Sequence, residues 1–145
     1  MVELIFVIVV LGILAAVAIP RLAASRDDAV LVKGKSQISA IRSGIALQKA
    51  KRMMEGTVPF IPASLDNAAL DTDNERLFNF TDGNASNILE YPILSKLNSD
   101  GYWFKDTNTT YKFQLTTSNI ATFTYSSLNG TFNCSISPDC NTLTQ

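Results

Sequence analysis

Residues 1–20 read MVELIFVIVVLGILAAVAIP, and from Leu4 to Ile19 no side chain is polar. A run of sixteen residues is slightly shorter than the roughly 20 that a helix needs to cross a bilayer, and Met1 and Val2 extend it only across the carboxylate of Glu3. Hydrophobicity on every side argues against a solvated amphipathic helix. A signal peptide would place Lys or Arg ahead of its apolar core, whereas here Glu3 comes first. The rest of the chain is too small and too polar to enclose such a helix, so the segment calls for lipid or other subunits.

Beyond Pro20 the pattern changes. Val30, Gly34, Ile38, Ile41, Ile45 and Gln48 follow three- and four-residue steps and mark one face, while most basic residues fall elsewhere. Gly56 is the expected stop after Met54-Glu55. At about 1.5 Å per residue, residues 1–55 form a rod of roughly 80 Å. Gly12 and Pro20 bracket a weak stretch: Gly lowers helix propensity by about 1 kcal/mol, and Pro removes the backbone bond to Ala16.

These residues resemble the N-terminus of type IV pilins and the pseudopilins of type II secretion. Glu3, Gly12, Ile19 and Pro20 occupy that family's places if two residues, Phe-Thr, precede Met1. The motif covers roughly 25 residues; the rest of the chain matches by architecture only. The resemblance implies a leader removed by a prepilin peptidase, a methylated N-terminal amine, and a Glu3 that meets the amine of a neighbouring subunit. It also implies an α+β fold: a long N-terminal α-helix packed by its C-terminal half against a small antiparallel β-sheet. The implied organisation is a membrane and filament-core segment at 1–23, an amphipathic segment at 24–55 and a globular head at 56–145.

The implied function is that of a structural subunit, a major pilin. It polymerises through its apolar helix into an extracellular filament for adhesion, motility or DNA uptake. Before assembly it sits in inner-membrane lipid and is handled by the pilus assembly machinery. The alternative is a major pseudopilin forming a short periplasmic filament.

Charge is uneven. Residues 21–55 hold eight basic and three acidic side chains, and residues 56–145 hold four basic and nine acidic. The stalk is cationic and the head anionic, which stacked subunits can exploit. The basic residues are spread along a helix and form no nucleic-acid patch. Histidine is absent and no G-x-S-x-G occurs, so the chain reads as a non-enzyme without cofactor. Asp71, Asp73 and Glu75 alternate as in a calcium loop but lack its turn glycine and distal ligand, and read as solvated acids.

In the head, Ala63–Leu70 is expected to form a short helix within a linker spanning Thr57–Asn87. Ser86–Leu97 is expected to form a helical turn broken by Pro92, with Leu89, Ile93, Leu94 and Leu97 in the core. Four strands follow, at Tyr102–Lys105, Thr110–Thr116, Ile120–Tyr125 and Thr131–Ile136, the last two joined by the Asn129-Gly130 hairpin signal. Cys134 and Cys140, in a Ser-, Thr- and Asn-rich region, read as an oxidised pair closing a terminal loop, and therefore as an extracytoplasmic head.

Asn79, Asn84, Asn108, Asn129 and Asn133 each begin an N-x-S/T triplet. Only Asn84 and Asn108 carry an acid two residues earlier, Asp82 and Asp106. That resembles the extended acceptor motif of bacterial oligosaccharyltransferases and marks these two as the expected glycosylation sites.

Overall fold

A computed structural model describes residues 2–79, 87–136, 138 and 140–144, with no side-chain detail at 23 and 136. Helix α1 runs unbroken through Val2–Glu55, with Pro20 inside it. It ends where the sequence says it should. Gly56 takes φ +68°, and the Gly56 and Thr57 amides bond back to the Met53 and Arg52 carbonyls, a Schellman cap.

Four antiparallel strands form a meander in the order β3 (Tyr102–Lys105), β4 (Thr110–Thr116), β5 (Asn119–Ser126) and β6 (Thr131–Ile136). The fold is α+β, a long N-terminal helix packed against a small antiparallel sheet. Alternation along the strands turns Trp103, Tyr111, Phe113, Ala121, Phe123, Tyr125 and Phe132 into the core, against Ile38, Ile41 and Ile45 of α1. The rings interlock: Phe123 stacks on Phe132 at 5.2 Å, and Phe78 meets Trp103 edge-on at 5.9 Å. Buried polar tips find partners across layers: Trp103 Nε1 donates to Gln37 Oε1 at 2.9 Å, and Tyr125 Oη to the Pro62 carbonyl at 2.6 Å. Desolvation pushes the Tyr125 hydroxyl up to about 12. Burial, then the nearby Asp66 carboxylate, raises Tyr111 further, although its hydroxyl makes no hydrogen bond of ordinary geometry.

Two expectations need correction. Residues 63–70 form no helix. Asp66 is buried and its carboxylate captures the amides of Ala68 and Phe78, at 3.2 and 3.0 Å, so local side-chain bonds displace the helical ladder. Lys105 Nζ completes that cluster at 2.7 Å from Asp66 Oδ1, tying the irregular segment to β3. The second correction concerns the helical turn expected at Ser86–Leu97. In its place Ile93–Leu94 (β2) pairs with Arg76–Leu77 (β1) inside the expected linker. Pro92 turns Tyr91 away from helical backbone and offers no amide to a helix, and Leu94 points out to solvent while Leu89 and Ile93 pack on the core. This small sheet shields the edge of β3 through the Ser95–Trp103 bridge. Past the loop that Cys134 and Cys140 close, the chain adds a short helix, α2 (Cys140–Thr144). Its Leu143 is buried beside Gly34, and the Cys134–Cys140 disulfide joins it to β6.

Two glycines let α1 lie close. A Cβ on Gly34 would stand 2.6 Å from Phe113 Cε1, and one on Gly44 would overlap the Ile88 carbonyl. Backbone cannot retreat as a side-chain tip can, so Gly44→Ala should destabilise the head by about 1–3 kcal/mol. Gly12, with nothing within 4 Å, should tolerate Ala without loss of head stability. Denaturant unfolding of detergent-solubilised protein, followed by Trp103 fluorescence, separates the two. Equal midpoints for both variants would contradict this packing.

Candidate functional site

The candidate site is a surface that α1 leaves bare. Among the described side chains, burial along the helix begins at Val30. Below it, the twelve large apolar side chains between Leu4 and Ile19 are all solvent-facing, from 37% exposed at Val10 to 70% at Leu4. The helix is long and apolar enough to cross a membrane, and none of its most hydrophobic window is buried in the protein. Single exposed leucines are ordinary on a protein surface; a continuous apolar sleeve is not.

Magnitudes decide what this sleeve can do. Removing a Val, Leu, Ile or Phe side chain from water contributes about 1.5–3 kcal/mol, so covering all twelve contributes on the order of 20–30 kcal/mol as an upper estimate. An acid at the middle of a membrane helix costs about 2.5–3.5 kcal/mol on insertion scales. Glu3, at the edge of the sleeve, therefore cannot prevent its burial. Its carboxylate gains most if a cation meets it there.

Gly12 lies within the sleeve. None of the described residues packs on it, so the head does not account for the missing side chain as it does at Gly34 and Gly44. Pro20 lies at the end of the sleeve, where the helix continues past it. Glu3, Gly12 and Pro20 are spread along one rod and do not converge; what they share is the surface.

Where α1 meets the head, its charges are drawn away from the outer face. Arg42 Nε donates to the Phe132 carbonyl at 3.0 Å, Arg52 to the Pro59 carbonyl at 3.2 Å, and Lys33 stands 4.5 Å from the centre of the Tyr102 ring. Val32, Ser36, Ala40, Ser43 and Leu47, all exposed, leave an uncharged stripe on the opposite side. Periodicity exposes this stripe in the sequence too, once the buried face is known.

Among the described residues no group of three acidic, His or Cys side chains is placed to hold a metal. Asp73, one of the alternating acids, accepts the Leu97 amide at 2.6 Å and acts as a loop clip. Asn108 is exposed in the turn between β3 and β4. Asn84 lies outside the described residues.

A long apolar N-terminal helix, a C-terminal antiparallel sheet and a disulfide near the C-terminus are consistent with a pilin-like fold. No protein-family model, characterised protein or solved structure matches the chain.

The bare sleeve should govern solution behaviour. A chain beginning at Ala24 should stay folded and sediment as a monomer without detergent, whereas the chain with residues 1–23 should need detergent or lipid. Analytical ultracentrifugation of both, with Trp103 emission as the fold readout, checks this. A detergent-free monomer of the longer chain would contradict it.

Proposed function

We propose that this protein is a pilin-type structural subunit: a membrane-held monomer whose apolar stalk is covered, on assembly, by the stalks of other copies. The observation that supports this most is the continuity of one helix. Its upper half is fixed to a small folded head, and its lower half presents an apolar surface that the head does not cover. A heterologous contact repeated along such a rod gives an open filament. Heads on the outside would make the filament a cell-surface fibre for adhesion, motility or DNA uptake, built from the inner membrane by its assembly machinery after a prepilin peptidase has acted. In this reading residues 1–23 form the filament core, 24–55 the packed half of the helix, and 56–145 the outer head.

Glu3 sets the register of each copy by pairing with a cation of its neighbour, the N-terminal amine of the processed chain. Gly12 and Pro20 let the intervening helix loosen as the stalk moves from lipid into the filament, since that segment has small side chains and a missing backbone bond. Asn84 or Asn108 carries a glycan in its own host; Asn108 is exposed two residues after the acid Asp106.

The test is electron microscopy of material sheared from cells making this chain, with and without Glu3→Ala. Fibres containing the chain are expected, with filament yield sharply reduced in the variant while membrane insertion persists. Normal yield from Glu3→Ala in the absence of wild-type subunit would overturn the pairing. Short filaments confined to the periplasm, with protein secretion lost on deletion, would make it a pseudopilin. Intact-mass analysis of fibres from the native host reads the glycan, and unmodified Asn84 and Asn108 would remove that proposal.

A further inference from the structure

The two poles of the head are complementary. At the pole nearest the stalk, a groove of about 220 Å³ opens between α1 and the β4–β5 turn. Leu31 and Leu115 line its apolar part, with Asp27, Asp28 and Asn119 beside them. It falls below the roughly 300 Å³ at which small-molecule sites begin, and suits a single side chain better than a ligand. At the opposite pole, the turn between β5 and β6 puts Leu128 at its tip, 92% exposed. Turn tips favour Gly, Asn, Asp and Ser, so an apolar side chain there has no local reason. This turn sits against Ile61 and Ile45, next to the segment carrying Val58 and Phe60, which are 77% and 39% exposed. That pole therefore shows an apolar patch with a projecting knob.

Charge follows the same polarity. Near the groove, Arg26 pairs with Asp100 at 3.5 Å, and Asp27 and Asp28 add negative charge. At the other end, the last turns of α1 carry Lys49, Lys51 and Arg52 against the single acid Glu55; Lys51 pairs with Glu55 at 3.8 Å, and the buried Arg52 donates to the Pro59 carbonyl. An apolar groove with an acidic rim at one end, and an apolar knob at the end where α1 carries an excess of basic residues, are the two halves of a head-to-tail contact.

We infer that heads stack end to end, with Leu128 of one copy seated in the groove between α1 and the β4–β5 turn of the next. This rests on the filament reading above and adds the axial contact to it. β5 itself runs from the groove toward the knob, roughly 25 Å for its eight residues. Along α1 the same interval, Asp27 to Ile45, measures about 27 Å at 1.5 Å per residue. The two agree, so the contact sets a stagger of about 25–30 Å between stacked copies. At that stagger the stalk of the upper copy must descend past the lower copy's head. The uncharged outer stripe of Val32, Ser36, Ala40, Ser43 and Leu47 offers it an unobstructed bed.

The experiment places a photo-crosslinking amino acid at position 128 in the full chain and irradiates assembled filaments. The expected product is a two-copy adduct whose peptide map joins position 128 to Leu31 or to residues 115–119. Leu128→Asp should leave the melting temperature of the head unchanged, because the side chain is solvent-facing, and should lower filament yield several-fold. An adduct mapped elsewhere, no two-copy adduct in filaments that do form, or normal yield from Leu128→Asp would each overturn the stacking while leaving polymerisation through the stalk intact. Absence of filaments from the wild-type chain would instead defeat the polymer reading, and the stacking with it.

Discussion

An α-helix gains 1.5 Å per residue whatever its surroundings, while a small sheet can shield only the few turns it lies across. α1 outruns its sheet. Below Val30 it touches the head only at the rim, where Arg26 pairs with Asp100 at 3.5 Å, and the apolar turns before that are left to the environment. Because the uncovered part is also the most apolar part of the chain, the isolated monomer in water is not a low-energy state. Lipid and other copies can both supply the missing cover. One surface that suits two environments in succession is what a subunit needs if it is stored in a membrane and then built into a fibre.

The head, in turn, has to hold the rod rigidly. Gly34 and Gly44 bring the helix backbone against Phe113 and Ile88, and the aromatic layer behind them fills the gap between helix and sheet. The irregular chain between helix and sheet gains its order from a buried ion pair. Lys105 bonds to Asp66 and to the Ala68 carbonyl, and Asp66 also accepts the Phe78 amide. Such a pair adds less net stability than its geometry suggests, since both charges give up water; removing one partner alone is the costly change. It fixes the position of residues whose sequence carries no regular pattern.

The legibility of this fold followed its periodicity. The helical stripe from Val30 to Gln48, the stop at Gly56 and four strands could be read because burial repeats every 3.6 or every 2 residues. β5 proved one residue longer at each end than its apolar alternation showed. Residues 63–70 and 88–97 could not be read. Their structure depends on Asp66 accepting distant amides and on a two-residue strand pairing, and neither leaves a periodic trace. Trp103 and Phe104 alternate as a strand requires, yet both are buried, because Lys112 lies over Phe104 on the second face, its ammonium 5.9 Å from the ring centre. The apolar sleeve was plain in the sequence. The knob at Leu128 and the groove at Leu31 and Leu115 were not, because their significance lies in being at opposite ends of the folded head.

The central claim is that copies of this chain cover one another's stalks. Cysteine placed at Leu14 reports on it directly, since Cys134 and Cys140 are bonded to each other. In assembled material a short thiol-specific crosslinker should join Leu14→Cys stalks into covalent dimers, and water-borne maleimide should fail to label them. Stalks that stay monomeric after crosslinking, with the cysteine reached instead by a reagent dissolved in lipid, would show that membrane alone covers the sleeve and would contradict the account.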